Sequence, residues 1–270
     1  SFGPFAPDVY RLPYPNQYRS GVSVGQLERK LKNMVDPEDV AAIIVEPIIG
    51  EGGFLVPPDD FLPYLRNLTD KYGIDLIFDE IQSGTGRTGK FFACEHFDVE
   101  PDLITVAKSL AAGLPLSGVI GKEEVMYAPD PGSIGGTYVG NPVAIESALA
   151  VLDVIEEENL LARASEIGEK VKREFGKMKE KYGIVGDVRG KGAMVAMELV
   201  KDRKAREPAP EITNQIVDFA LKEGLILPTA GLQSNVIRLL TPLVIEDDNL
   251  EKGLEIIART LSRVEAKLVN

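Results

Sequence analysis

The sequence has one cysteine, one histidine and no tryptophan. A single thiol, Cys94, excludes an internal disulfide, and the default compartment is a reducing, cytoplasmic one. A single imidazole, His96, excludes a histidine-rich metal centre and leaves little room for a Ser-His-Asp triad. Both residues lie in "FFACEHFDVEPD" and are expected to pack or to face water, and no metal site is expected. Also missing is any apolar run of the roughly 18 residues that a membrane span needs. No basic-then-apolar secretory leader opens the chain. Positive charge is scarce: 30 Lys and Arg against 42 Asp and Glu give a formal net charge of −12. Nucleic acid asks for a basic stripe, which this balance does not supply. An anionic ligand would have to be held locally, by a few cations or backbone N–H groups.

What is present is ordinary globular material, 270 residues at 44% hydrophobic, enough for a sizeable core and two lobes. Ser1-Phe2-Gly3-Pro4-Phe5 is loop-like and lacks an initiator Met, and it reads as a cut or processed end. Residues 1–20 are rich in Pro, Tyr and Phe without periodicity, as in an ordered surface loop. Leu27 and Leu31 predict a helix over 23–34. The run 39–48 reads as a buried strand, 57–73 as a helix stopped by Gly73, and 74–80 as a second strand. The loop "SGTGRTGKF" follows, then "PDLITVAKS" and "LSGVIGK" as third and fourth strands. Asn141-Pro142 marks a helix start, and helix continues to about Tyr182 with a break near Glu158-Asn159. "VGDVRGKGAMVAMELV" predicts two strands joined around residues 190–192. A helix (212–223), a strand pair (225–227 and 236–239) and a terminal helix (249–268) complete the chain. The order implies an α/β fold with a mostly parallel sheet, followed by an α+β lobe, with a boundary near residue 155.

Ligands of open α/β sheets bind beyond the carboxyl ends of the strands. Three ionisable residues fall at such ends: Glu46, Asp79 and Lys108. An ion-pair cluster tying strands together is one reading, since unpaired buried charge is expensive. A site is the other. A partly desolvated lysine has a lowered pKa and serves as an amine nucleophile towards carbonyls. A carboxylate facing a pyridine nitrogen is the matching need when that carbonyl belongs to pyridoxal phosphate. Two anion motifs are excluded. Gly84 to Gly89 is too compact for a P-loop and residue 91 is Phe, while "GKGAM" lies between strands with too few glycines for a dinucleotide fingerprint.

"IIVEPIIGEGGFLVPPDDFL", "LIFDEIQSGTGRTGKFFACEHF", "PDLITVAKSLAAGLPLSGVI" and "GGTYVGNPVA" occur in this order, followed by "VRGKGAMVAMEL" and "NVIRLLTPLVI". Together they resemble the class III aminotransferases, pyridoxal-phosphate enzymes of fold type I, nearest to the 4-aminobutyrate branch. The resemblance implies that Lys108 forms the Schiff base with the cofactor and shuttles the proton, and that Asp79 pairs with the ring nitrogen. It implies Ile81 on one face of the ring, Gln82 near the phenolic oxygen, and Thr137 at the phosphate of the partner subunit's cofactor in a homodimer. Arg238 is implied as the clamp for the substrate α-carboxylate, with Glu46 as the glutamate that masks it while an ω-amino donor reacts.

Taken singly, Thr137 could be a turn residue and Arg238 a surface-edge arginine. The resemblance covers the C-terminal part of the family. It assigns 1–155 to the cofactor-binding large domain and 156–270 to the small domain, with the main phosphate-binding loop and first large-domain elements upstream and apolar surface left uncovered. The implied activity is transfer of an amino group from a 4-aminobutyrate-like donor to 2-oxoglutarate. Ornithine- or acetylornithine-type transamination, amino-acid racemisation and an inactive fragment are the alternatives.

Overall fold

The computed structural model describes residues 3–19 and 21–269. The loop expected at Ser1-Phe2 and the end of the 1–20 segment at Ser20 lie outside the described residues. A first sheet carries β1 (Ala42–Val45), β2 (Asp75–Asp79), β3 (Leu103–Val106) and β4 (Gly118–Gly121), in that order. The first three are parallel and β4 is antiparallel to β3. Helix α1 (Leu27–Lys32) is shorter than its periodicity suggested, because the preceding turn, Val24–Gln26, is a 3-10 helix.

Helix α2 (Phe61–Tyr72) buries Phe61, Leu62, Leu65 and Leu68 and ends where Gly73 turns left-handed at φ 66°. That face packs with Leu76 and Phe78 of β2 and with Cys94 and Phe97. The other face of the sheet is more open. Alternate residues of β2 are only half-buried, and Ile44 on β1 and Val119 on β4 are 62% and 50% exposed. The expectation that 39–48 forms a buried strand is therefore corrected: period-2 geometry sends Ile43 into the core and Ile44 outward.

After α3 (Glu123–Met126) an exposed loop leads to α4 (Pro142–Glu157), whose Asn141 cap accepts the Val143 and Ala144 N–H groups. The predicted break holds: Asn159 is left-handed, and α5 (Leu160–Lys181) starts after it. The second sheet is antiparallel, in the order β5 (Val185–Lys191), β6 (Met194–Asp202), β9 (Val236–Leu239), β8 (Thr229–Ala230), with β7 (Glu207–Pro208) pairing to β6. Helices α5, α6 (Pro210–Lys222) and α7 (Asp247–Val269) cover it. The strand expected at 225–227 lies later, at β8, and 225–227 belongs to no strand, with Ile226 81% exposed.

The glycine-rich loop is wedged between these parts. A Cβ on Gly192 would stand 2.2 Å from the Thr88 carbonyl carbon, and Gly89 lies against Ser165 of α5. Arg87 donates to the Thr241 carbonyl. The loop is structural, as its failure to match a P-loop implied.

Asp102 ties the first sheet together. Its carboxylate accepts from Leu76 N–H at 2.7 Å, Arg66 at 2.8 Å and Lys122 at 2.6 Å. Burial pushes this carboxyl up, but the Leu76 N–H and the Lys122 and Arg66 cations outweigh it and hold it at about 2, against 3.8 ordinarily. A depressed carboxyl stabilises the fold above its unfolded pKa and loses that contribution as pH falls through the folded value. Asp102→Asn is thus expected to cost about 2 kcal/mol at pH 7, with roughly half of the difference left at pH 3. Denaturant titrations at both pH values check this. A gap that does not change with pH would contradict it.

Candidate active site

Parallel register sets the rim. Val45 lies opposite Phe78 and Asp79 opposite Thr105, so the residues leaving the three strands emerge side by side. Glu46 follows β1 directly, Asp79 is the last residue of β2, and Lys108 stands two residues beyond β3. Lys108 was expected to close the strand. Instead it opens a 3-10 turn, Lys108–Ala111, with φ 46°, a left-handed conformation costly for a side chain with a Cβ. Lys108 was also expected to be partly desolvated, and it is exposed, because it projects from a turn past the sheet edge. Ile81 and Gln82 are half-buried in the turn after Asp79.

Among the described residues the Asp79 carboxylate accepts one hydrogen bond, from Ile81 N–H to Oδ1 at 3.0 Å. Beside it, Thr105 keeps a buried hydroxyl with no partner among the described residues. Asp79 and Lys108 both act on Glu46: burial raises the Glu46 carboxyl, the Gly50 N–H lowers it, Asp79 raises it further and Lys108 lowers it.

The second group crosses from one sheet to the other. Arg238 sits on β9, an internal strand between β6 and β8, and is 4% exposed. The surface-edge alternative is thereby excluded. Its guanidinium donates to Glu51 through Nη1 at 2.9 Å and Nη2 at 3.2 Å, and to the Gly50 carbonyl at 3.2 Å. The expected Glu46–Arg238 pair is corrected: Glu51 is the partner.

The reason is local. Residues 49–55 form a tight turn closed by paired Ile49–Leu55 hydrogen bonds and by Gly53 N–H to the Gly50 carbonyl. Glu51 rides on its tip, where the Gly231 N–H, just after β8, holds its carbonyl. Glu46 is instead consumed inside the turn, accepting the Gly50 N–H at 2.8 Å. The Glu51 side chain is 73% exposed while that of Arg238 is 5%. Hydrogen bonds from Arg238 and Gln82 hold the Glu51 carboxyl below its ordinary value. Gln82 donates Nε2 to Glu51 at 3.0 Å and accepts from Arg238 at 3.4 Å.

Thr137 is exposed in the loop between α3 and α4, and among the described residues no hydrogen bond joins it to the other six. Two residues went unnoticed in the sequence. Glu51 sits in "GEGG", where flanking glycines signal the turn that displays it. Glu80 is 1% exposed, on the opposite side of the chain from Asp79. It accepts from Cys94 N–H at 2.8 Å and from the Ser83 hydroxyl, which closes loop 80–94. Burial raises its carboxyl above the ordinary value. Nothing in a strand-end "DE" marks its second carboxylate as internal.

An exposed primary amine, a half-buried carboxylate with an uncommitted oxygen, and a buried guanidinium under a displaceable carboxylate share one rim. This equips the chain to hold a carbonyl compound and to receive a carboxylate. The sequence and the fold that carry this rim recur in known proteins. A probable 4-aminobutyrate aminotransferase of Bacillus subtilis (strain 168) is 47% identical over 268 residues, covering 95% of this chain and 61% of that protein. A leucine/methionine racemase of Thermococcus litoralis is 44% identical over 268 residues, covering 96% of this chain and 60% of its own. The structure of a taurine:2-oxoglutarate aminotransferase from Bifidobacterium kashiwanohense, in complex with PLP and glutamate, superposes with a TM-score of 0.88 at 30% identity, over 97% of this chain and 62% of that one. The chain thus spans about three fifths of the length of the curated relatives it matches. The family model for aminotransferase class III matches residues 1–261. With fold, rim and sequence in agreement, the chain belongs to the class III aminotransferases.

Proposed function

We propose that this chain carries the catalytic rim of a pyridoxal-phosphate-dependent aminotransferase that moves an amino group from an ω-amino donor, of the 4-aminobutyrate type, to 2-oxoglutarate. The observation that carries the reading is the buried Arg238 with an exposed, displaceable Glu51 over it, within electrostatic reach of Lys108.

The residues fit the cofactor. A half-buried Asp79 with one oxygen uncommitted suits a ring N–H, the Lys108 amine suits a carbonyl carbon, and Ile81 offers an apolar wall. When bound, the cofactor supplies an electron-accepting pyridinium ring conjugated to that carbonyl. Lys108 would be the residue that holds it and that carries the proton at the donor carbon. Asp79 would hold the proton on the ring nitrogen, and Gln82 would serve the phenolic oxygen. An ω-amino monocarboxylate brings no carboxylate next to its amine, so Glu51 stays on Arg238. A 2-oxo dicarboxylate brings one and displaces Glu51, taking up the bidentate guanidinium.

In this reading 1–155 belongs to the cofactor-binding large domain and 156–270 to the small domain, supported by the separate sheets and the break at Asn159. The enzyme is a cytoplasmic homodimer, with Thr137 at the partner's cofactor phosphate. The exposed apolar residues of α4, among them Val143 and Leu149, support that pairing. Among the described residues no helix is long and apolar enough to cross a membrane.

The holoenzyme is expected to form glutamate from 2-oxoglutarate and 4-aminobutyrate, with strict dependence on both. Loss of chirality in an α-amino acid without any 2-oxo acid would identify a racemase instead.

A further inference from the structure

We infer that Gly50 and Gln82 form a latch that holds Glu51 on Arg238, and so set how readily the protein accepts a carboxylate beside the reacting carbon. The inference rests on the transaminase reading for its biological meaning and on the following geometry for its physics. The pair alone is lopsided: the Arg238 side chain is 5% exposed and that of Glu51 73%. An exposed carboxylate is well solvated when it swings away, so its hold on the guanidinium is weak unless something else retains it. Gln82 does this from both sides. Its Nε2 donates to the Glu51 Oε1 that Arg238 also grips, at 3.0 Å, while its Oε1 accepts from Arg238 at 3.4 Å.

The amide reaches that position because residue 50 has no side chain. A Cβ on Gly50 would stand 1.9 Å from Gln82 Oε1 and 2.5 Å from its Cδ. Gly50 itself is fixed by its N–H on Glu46 and by its carbonyl on Arg238. Gly50 is not one of the left-handed glycines, so the missing Cβ serves space, not backbone conformation.

A ligand that needs Arg238 uncovered binds with an affinity scaled by the fraction of protein in which Glu51 is off. Releasing the latch raises that fraction. One hydrogen bond sustains a shift of about five- to tenfold. Gly50→Ala tests this without touching the Gln82 amide chemically, because its new methyl meets only the end of a flexible side chain. Gln82→Leu is the second variant and makes no demand on space at residue 50.

Two readouts are taken. The first is calorimetric binding of glutarate to the cofactor-free protein. The second is the ratio of KM values for 2-oxoglutarate and 4-aminobutyrate in the holoenzyme. Both variants are expected to bind glutarate about five- to tenfold more tightly than wild type, with Arg238→Gln abolishing the gain. The KM ratio is expected to move the same way, in favour of 2-oxoglutarate. Unchanged glutarate affinity in both variants overturns the latch, whatever the catalytic result. Tighter glutarate binding in a protein that transfers no amino group upholds the latch and removes the transaminase reading.

Discussion

Lys108→Ala is expected to abolish amino transfer, by about 10⁴-fold or more, while leaving the fold as stable as before. Proton transfer by a positioned side chain is worth up to about 10⁴-fold by itself, and the covalent anchor for the cofactor disappears with the same amine. The stability half of the expectation comes from position. Lys108 is exposed on a 3-10 turn, and exposed substitutions away from packing change stability by about 0.5 kcal/mol at most. Its left-handed backbone is retained by alanine, so no strain is relieved or added. Borohydride reduction of the loaded protein, followed by peptide mass spectrometry, checks the assignment directly. Wild type should carry the reduced cofactor on the peptide containing Lys108, and the variant on none. An adduct on another lysine of the variant, with activity retained, would move the chemistry elsewhere.

The legible parts of this structure were those written in local chemistry. Gly73 ends α2 and Asn141 caps α4 because each satisfies or terminates backbone hydrogen bonding within a few residues. The succession of strands and helices followed from periodicity, and the rim of Glu46, Asp79 and Lys108 followed from where charge interrupts apolar runs. What was not legible depends on contacts distant in sequence. Glu46 and Glu51 are indistinguishable as letters. Only the turn at 49–55, docked against Gly231, decides which carboxylate reaches Arg238. A continuous apolar run does not report that only one face of β1 is covered, which leaves Ile44 exposed, nor that the chain turns at Lys108 instead of continuing the strand. The strand at 229–230 escaped because the apolar letters before it, Leu225 to Leu227, have no ladder partner among the described residues, while Thr229 and Ala230 pair with β9.

Asp79→Asn is expected to retain fold and cofactor and to lose about 10²–10³-fold in the rate of amino transfer, the range seen when one electrostatic stabiliser is removed from a site. The substitution is nearly isosteric. The amide oxygen of the variant can still accept the Ile81 N–H, the one bond that the native carboxylate receives among the described residues. The turn that carries Ile81 and Gln82 therefore stays in place. What changes is the charge. A carboxylate favours a proton on the ring nitrogen it faces, whereas a neutral amide does not. Electron withdrawal at the donor carbon weakens accordingly, without any change in how the 2-oxo acid is gripped by Arg238.

The loss should therefore appear in kcat, with KM for 2-oxoglutarate moving little, since Arg238 and Glu51 are untouched. It should also narrow as pH falls, because solution protons then occupy the ring nitrogen without help from the protein. Single-turnover rates followed by cofactor absorbance across pH 6 to 9 separate the two components. A variant with wild-type rates would remove Asp79 from the chemistry. A variant with an unchanged kcat and a raised KM would reassign it to substrate binding.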